Sequence, residues 1–161
     1  MAETSEETQK VAALLKGKRI AMLTTTDVDG TFFSRPMALQ EVEFDGDLWF
    51  FTDRDSTVVA QIHHRPAVNV TVADSSEWVS LNGTASVVED AGKKQELWNK
   101  VVEAWFPDGP DADHIVLLKV DAETAEYWDT PGGRVASAFS FAKAKATGKP
   151  YSGGENEKVE L

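Results

Sequence analysis

The chain has 161 residues, the length of one domain, and 42% are hydrophobic, so five tryptophans and eight phenylalanines supply a core without staples. It has no cysteine, which excludes thiol catalysis, thiolate metal sites and disulfides together. Its net charge of −11, from 27 acidic and 16 basic side chains, argues against nucleic acid as a partner, although a local basic pocket can still hold one phosphate.

MAETSEETQK is acidic and polar, unlike a secretory leader, and no apolar run approaches the roughly 20 residues of a membrane helix. A cytoplasmic protein away from membranes is therefore expected. Thr4 to Lys16 reads as a helix with a Thr4–Glu7 capping box and a stripe of Val11, Leu14 and Leu15, ended by Gly17. Arg19 to Thr26 is a short strand and Asp27 to Gly30 a turn. Thr31 to Phe44 resumes extended structure, with Pro36 at an edge or bulge. Asp45-Gly46 carries a two-residue hairpin signal, and the continuous apolar run Leu48 to Thr52 implies a strand buried on both faces. Asp55 is placed to cap a helix from Ser56 to about His64, which Arg65-Pro66 ends.

Ala67 to Ala73 alternates as a strand, and Trp78 to Val88 is another, with a turn or bulge at Asn82-Gly83. Glu89 to Trp105 reads as one long helix with Leu97, Val101, Val102 and Trp105 on a shared face. His114 to Val120 is a strand, extended by Ala125 to Trp128. Beyond Thr130 the chain is rich in Gly, Lys and Ser, with Phe139 and Phe141 as the last apolar anchors. No repeat or boundary divides residues 1–161, so they read as a single domain with an N-terminal helix (1–16) and a C-terminal tail (142–161). About six strands joined by hairpin-like turns, with inserted helices, imply a mainly β, small antiparallel barrel with flanking helices.

Candidate chemistry concentrates between Ser34 and Ile62. Arg35 is either a solvated edge residue or a phosphate clamp, the latter favoured by the hydroxyls of Thr52, Ser56 and Thr57 near one helix start. Arg54 is a second cation or a surface partner of Asp53 or Asp55, carboxylates that must point away from any phosphate. Trp49, Phe50, Phe51 and Trp78 can pack on an aromatic ligand, but core packing is the commoner fate of strand aromatics. His63 and His64 are adjacent, so on a helix they diverge by about 100° and cannot chelate one ion. His114 is distant in sequence, and no metal site is expected. Nucleophile-elbow, Walker and dinucleotide glycine motifs are absent.

The segments LTTTDVDGTFFSRPMALQEVEFDGDLWFFTDRDS, WVSLNGTASVVED, ELWNKVVEAWFPDGPD, LLKVDAETAEYWDTPGG and GENEKVEL, in that order, resemble the general stress protein 26 subgroup of the pyridoxamine 5′-phosphate oxidase-like family. The match runs from about Ile20 to Leu161. The resemblance implies a split β-barrel that forms a homodimer with FMN in a groove between subunits. It further implies that Ser34, Arg35, Pro36 and Met37, then Phe51, Thr52 and Asp53, then Ser56 and Thr57 hold the flavin phosphate or ribityl chain, with Trp78 on a strand close to the flavin. Val58 stands where subgroup members often carry lysine, and Gln40 where the true oxidases have one. Loss of those cations points to weaker flavin binding or to FAD or a deazaflavin as the cofactor. Vitamin B6 oxidation is not expected. The expected function is that of a flavin-dependent oxidoreductase of unknown substrate. The alternatives are a flavin-binding or redox-sensing module without turnover, and an apo stress-interaction dimer.

Overall fold

Seven strands form one antiparallel sheet in the computed structural model, which describes residues 5–130, 141–150 and 154–161. In chain order the elements are α1 (Glu6–Leu15), β1 (Ile20–Thr26), β2 (Phe32–Ala38), β3 (Asp47–Asp53), α2 (Thr57–His64), β4 (Ala67–Ala73), β5 (Glu77–Val88), α3 (Ala91–Leu97), α4 (Lys100–Trp105), β6 (Ile115–Asp129) and β7 (Glu155–Glu160). Residues 141–147 are also helical. The strand order is β2-β1-β4-β5-β6-β3, with β7 pairing β6.

β3 does not pair with β2, so Asp45-Gly46 is not the hairpin its dipeptide signalled. β2 ends at Ala38, and β3 ladders instead with β6, from Asp47 opposite Asp121 to Asp53 opposite Ile115. The two edge strands approach each other without joining, which leaves the barrel split between them. Gly46 is needed for its positive φ of 111°, and its carbonyl accepts from the Ala122 N–H at 2.8 Å.

β6 is long enough to serve two partners. Its first half pairs β3 and its second half pairs β7, where Thr124 to Asp129 face Glu160 to Glu155. The changeover lies at a bulge: Asn82 opposes Thr124 while Gly83 opposes Ala122, so Glu123 is the extra residue. The bulge expected at Asn82-Gly83 is thus present. β7 lies within the segment read as a tail.

Alternation builds the core. Leu23, Val70, Val79, Leu81, Phe50 and Leu118 are fully or almost fully buried inside the barrel, where Val11, Leu14 and Leu15 of α1 join them. Phe51, Leu97, Val102, Ile115 and Leu117 form a second cluster on the opposite face of β3 and β6, under α3 and α4. β3 is therefore buried on both faces, as its continuous apolar run implied.

The long helix read over Glu89 to Trp105 is two helices. Asn99 breaks it, because its side-chain oxygen accepts from the N–H groups of Val101 (2.9 Å) and Val102 (3.1 Å) and starts a new helix. Val101 and Trp105 consequently stay exposed while Leu97 and Val102 are buried. α1 is capped by Ser5, which accepts from the Thr8 N–H at 3.0 Å; Thr4 and Phe139 lie outside the described residues. Phe141 is exposed and is not part of the buried core among the described residues.

Candidate functional site

The SRPM quartet lies on edge strand β2, and alternation divides it. Ser34 hydrogen-bonds Thr24 on the outer face, where Pro36 is also exposed. Met37 packs against the barrel core, and Arg35 turns to the same side. There the Arg35 Nη1 donates to Thr25 Oγ1 at 2.7 Å and Nη2 donates to Gln61 Oε1 at 2.8 Å. The triangle closes where Thr25 Oγ1 donates to Gln61 Oε1 at 2.6 Å.

Arg35 is half-buried, and both of its partners are neutral. Among the described residues no carboxylate forms an ion pair with it. Burial pulls the guanidinium below its ordinary value, although arginine stays protonated at any working pH. Gln61 is 3% exposed, and its Nε2 has no hydrogen-bond partner. The amide cannot be turned round to relieve this, because a guanidinium offers donors only and needs the oxygen. Such a buried orphan donor costs about 1–3 kcal/mol. Neither Thr25 nor Gln61 stood out in the sequence. The available signal was a polar residue in the apolar stripe of Val58 and Ile62 on α2.

Thr52 and Ser56 form the second group, with their hydroxyls 3.1 Å apart. Ser56 is the residue before α2, yet its side chain caps nothing, and Asp55 does not cap the helix either: its N–H donates to Asp53 Oδ1 at 2.9 Å in a tight turn. That turn draws the Asp53 carboxylate into local bonding. The first turn of α2 thus keeps its N–H groups without a side-chain acceptor, beside exposed Thr57. Gln61 follows Ser56 by five positions, roughly 7.5 Å of helical rise, so Arg35 and the hydroxyl pair flank one helix and do not touch. Arg54 pairs with Glu89 at 2.6 Å, not with Asp53 or Asp55.

The aromatic candidates separate in the same way. Phe50 is fully buried, and Phe51 packs edge-on against Trp98 with centroids 5.5 Å apart, so only its backbone on edge strand β3 can meet a ligand. Trp49 lies beneath the ammonium groups of Lys93 and Lys119. Trp78 is on the outer face of the sheet, opposite Trp128 and on the other side from Arg35. Val58 is buried in the barrel core, and Gln40 Oε1 accepts from Asn99 Nδ2 at 3.0 Å. A cavity of about 1100 Å³ lies elsewhere, between α1 and residues 39–49; Gln40 and Trp49 line it, but Arg35, Thr52, Ser56, Thr57 and Trp78 do not.

The pyridoxamine 5′-phosphate oxidase-like family model matches residues 6–152. The chain belongs to that family. Its sheet is the family's split barrel, and relatives named general stress protein 26 match the subgroup indicated by the sequence motifs. Protein bli-3 of Neurospora crassa is 29% identical over 152 residues, covering 87% of this chain and 73% of the relative. The crystal structure of general stress protein 26 from Bacillus anthracis superposes with a TM-score of 0.68 at 26% identity, covering 76% of this chain and 94% of the other. The general stress FMN/FAD binding protein from Xanthomonas citri gives a TM-score of 0.67 at 30% identity, covering 78% and 90%.

Proposed function

We propose that this chain binds FMN by its phosphate, with Arg35 as the cation and the Thr52–Ser56–Thr57 turn as a neutral cradle. The observation that carries the reading is the state of Arg35: half-buried, held by two neutral acceptors and free of any carboxylate among the described residues. A guanidinium has five N–H donors, and these contacts leave some for an incoming anion. The uncapped start of α2 fits the same charge. The Xanthomonas citri relative is described as an FMN/FAD binding protein, which supports a flavin here, with FAD or a deazaflavin as the alternatives to test.

The active form in this reading is a cytoplasmic homodimer. Trp78 and the SRPM residues Ser34 and Pro36 face away from Arg35, so a ligand that meets both sets needs a second copy to complete its groove. A bound flavin supplies electron or hydride transfer at its ring, and the protein's part is to hold, orient and shield it. The overall activity proposed is a flavin-dependent oxidoreduction.

Fluorescence-quenching titrations with FMN, riboflavin, FAD and a deazaflavin test the reading. Arg35→Ala is expected to weaken FMN binding by about tenfold or more, as loss of a charge-assisted bond requires, with little change for riboflavin. Equal losses for both ligands would remove the phosphate role.

A flavin carrier or redox sensor without turnover is the second reading. Steady-state NAD(P)H oxidation distinguishes it from an enzyme. An apo stress-interaction dimer is the third, for which Val58, buried in the core and offering no cation to a phosphate, is the hint.

A further inference from the structure

We infer that Gln61 is the positioning and specificity-determining residue for Arg35, holding the guanidinium with a neutral oxygen so that its charge stays available to a phosphate. The inference rests on the phosphate-clamp reading above and names a part of that site which no motif marks.

Three observations converge on it. Gln61 Oε1 accepts two hydrogen bonds, from Arg35 Nη2 at 2.8 Å and from Thr25 Oγ1 at 2.6 Å, so one atom sets both the fork and the hydroxyl beside it. The residue is 3% exposed and Thr25 is fully buried, so neither partner can swing out to solvent. Finally, Nε2 is left buried without an acceptor.

That last atom makes the choice of side chain informative. Glutamate has nearly the same shape, carries no orphan donor, and would pair with the guanidinium. Methionine fills the space without a buried amide but takes the acceptor away from Arg35 Nη2 and the buried Thr25 hydroxyl. Glutamate avoids the cost that glutamine incurs and keeps both accepted bonds, so stability alone does not select glutamine over it. What glutamine uniquely supplies is an acceptor without a charge. A carboxylate at this position would neutralise Arg35 and repel an incoming anion at short range. The chain as a whole carries 27 acidic side chains, which makes the all-neutral surroundings of this arginine the more informative.

The test compares the FMN-to-riboflavin affinity ratio of the full chain with that of Gln61→Glu and Gln61→Met, and measures competition by inorganic phosphate. In the unmodified chain FMN is favoured and phosphate competes. Gln61→Glu is expected to lower the ratio by about ten- to hundredfold and to abolish phosphate competition, while riboflavin affinity stays within about twofold. Gln61→Met keeps the charge but loses the fork, and is expected to lower the ratio by a few-fold only. A Gln61→Glu protein that retains the full FMN preference overturns the inference. If that variant fails to fold, an unchanged ratio in Gln61→Met overturns it instead. An unmodified chain that binds FMN and riboflavin equally, with no phosphate competition, overturns the phosphate clamp itself.

Discussion

Gly83 marks where a single side chain would be intolerable. A Cβ there would sit 2.1 Å from the Asp121 carbonyl oxygen, and that atom belongs to the backbone of β6, which cannot rotate away. The glycine allows β5 and β6 to close up just where Glu123 bulges out of register. Gly83→Ala is expected to lower the unfolding free energy by about 1–3 kcal/mol, measured as a drop in the urea midpoint. An unchanged midpoint would mean that the bulge can widen without cost. Arg35 and Gln61 are the other positions where one residue decides an outcome, and there the outcome is ligand charge.

At the scale of elements, β7 is held by polar contacts as well as by Val159. Tyr127 on β6 is 3% exposed, and its hydroxyl shares its one proton between Glu157 at 3.1 Å and Glu155 at 3.3 Å. Lys10 of α1 adds a 2.8 Å ion pair with Asp129 and lies over the Tyr127 ring. Burial, then the bond to Glu157 and the neighbouring carboxylate charges, pushes the phenol up to about 12. The folded value lies above the ordinary 10.0, so this contribution is complete below pH 10 and fades as pH rises toward 12. Ultraviolet titration of the phenolate band is expected to resolve a late component that Tyr127→Phe removes. A single ordinary tyrosine titration in the folded protein would contradict the clasp.

For the whole molecule, the outer face of the sheet is the surface to explain. Trp78 and Trp128 pair across β5 and β6 and are 42% and 40% exposed, and Ile20 and Met22 of β1 are exposed on the same face. Clustered exposed apolar side chains of this size mark association surfaces more often than free surface. With a second copy as the occupant, Trp128→Glu is expected to shift the protein from dimer to monomer in sedimentation and to weaken FMN binding together with it. A variant that remains dimeric with unaltered FMN affinity would place the subunit contact elsewhere.

Local chemistry was enough for much of this protein. The β4 boundaries, the bulge at Asn82-Gly83, the double-sided burial of β3 and the end of α2 at Arg65-Pro66 all follow from alternation, glycine and proline, which act over a few residues. Arg35 with the Thr52–Ser56 turn was legible as a candidate site from the same short range. Pairing was not: despite the Asp-Gly signal before it, β3 ladders with β6, more than sixty residues away, over all seven of its residues. The break at Asn99 was missed because helical periodicity does not register a side chain that bonds its own backbone two and three residues on. Motif order brought out the family, but the triangle of Thr25, Arg35 and Gln61 joins two strands and a helix. Only the tertiary structure brings those three side chains together, and so decides that the arginine is held by neutral groups.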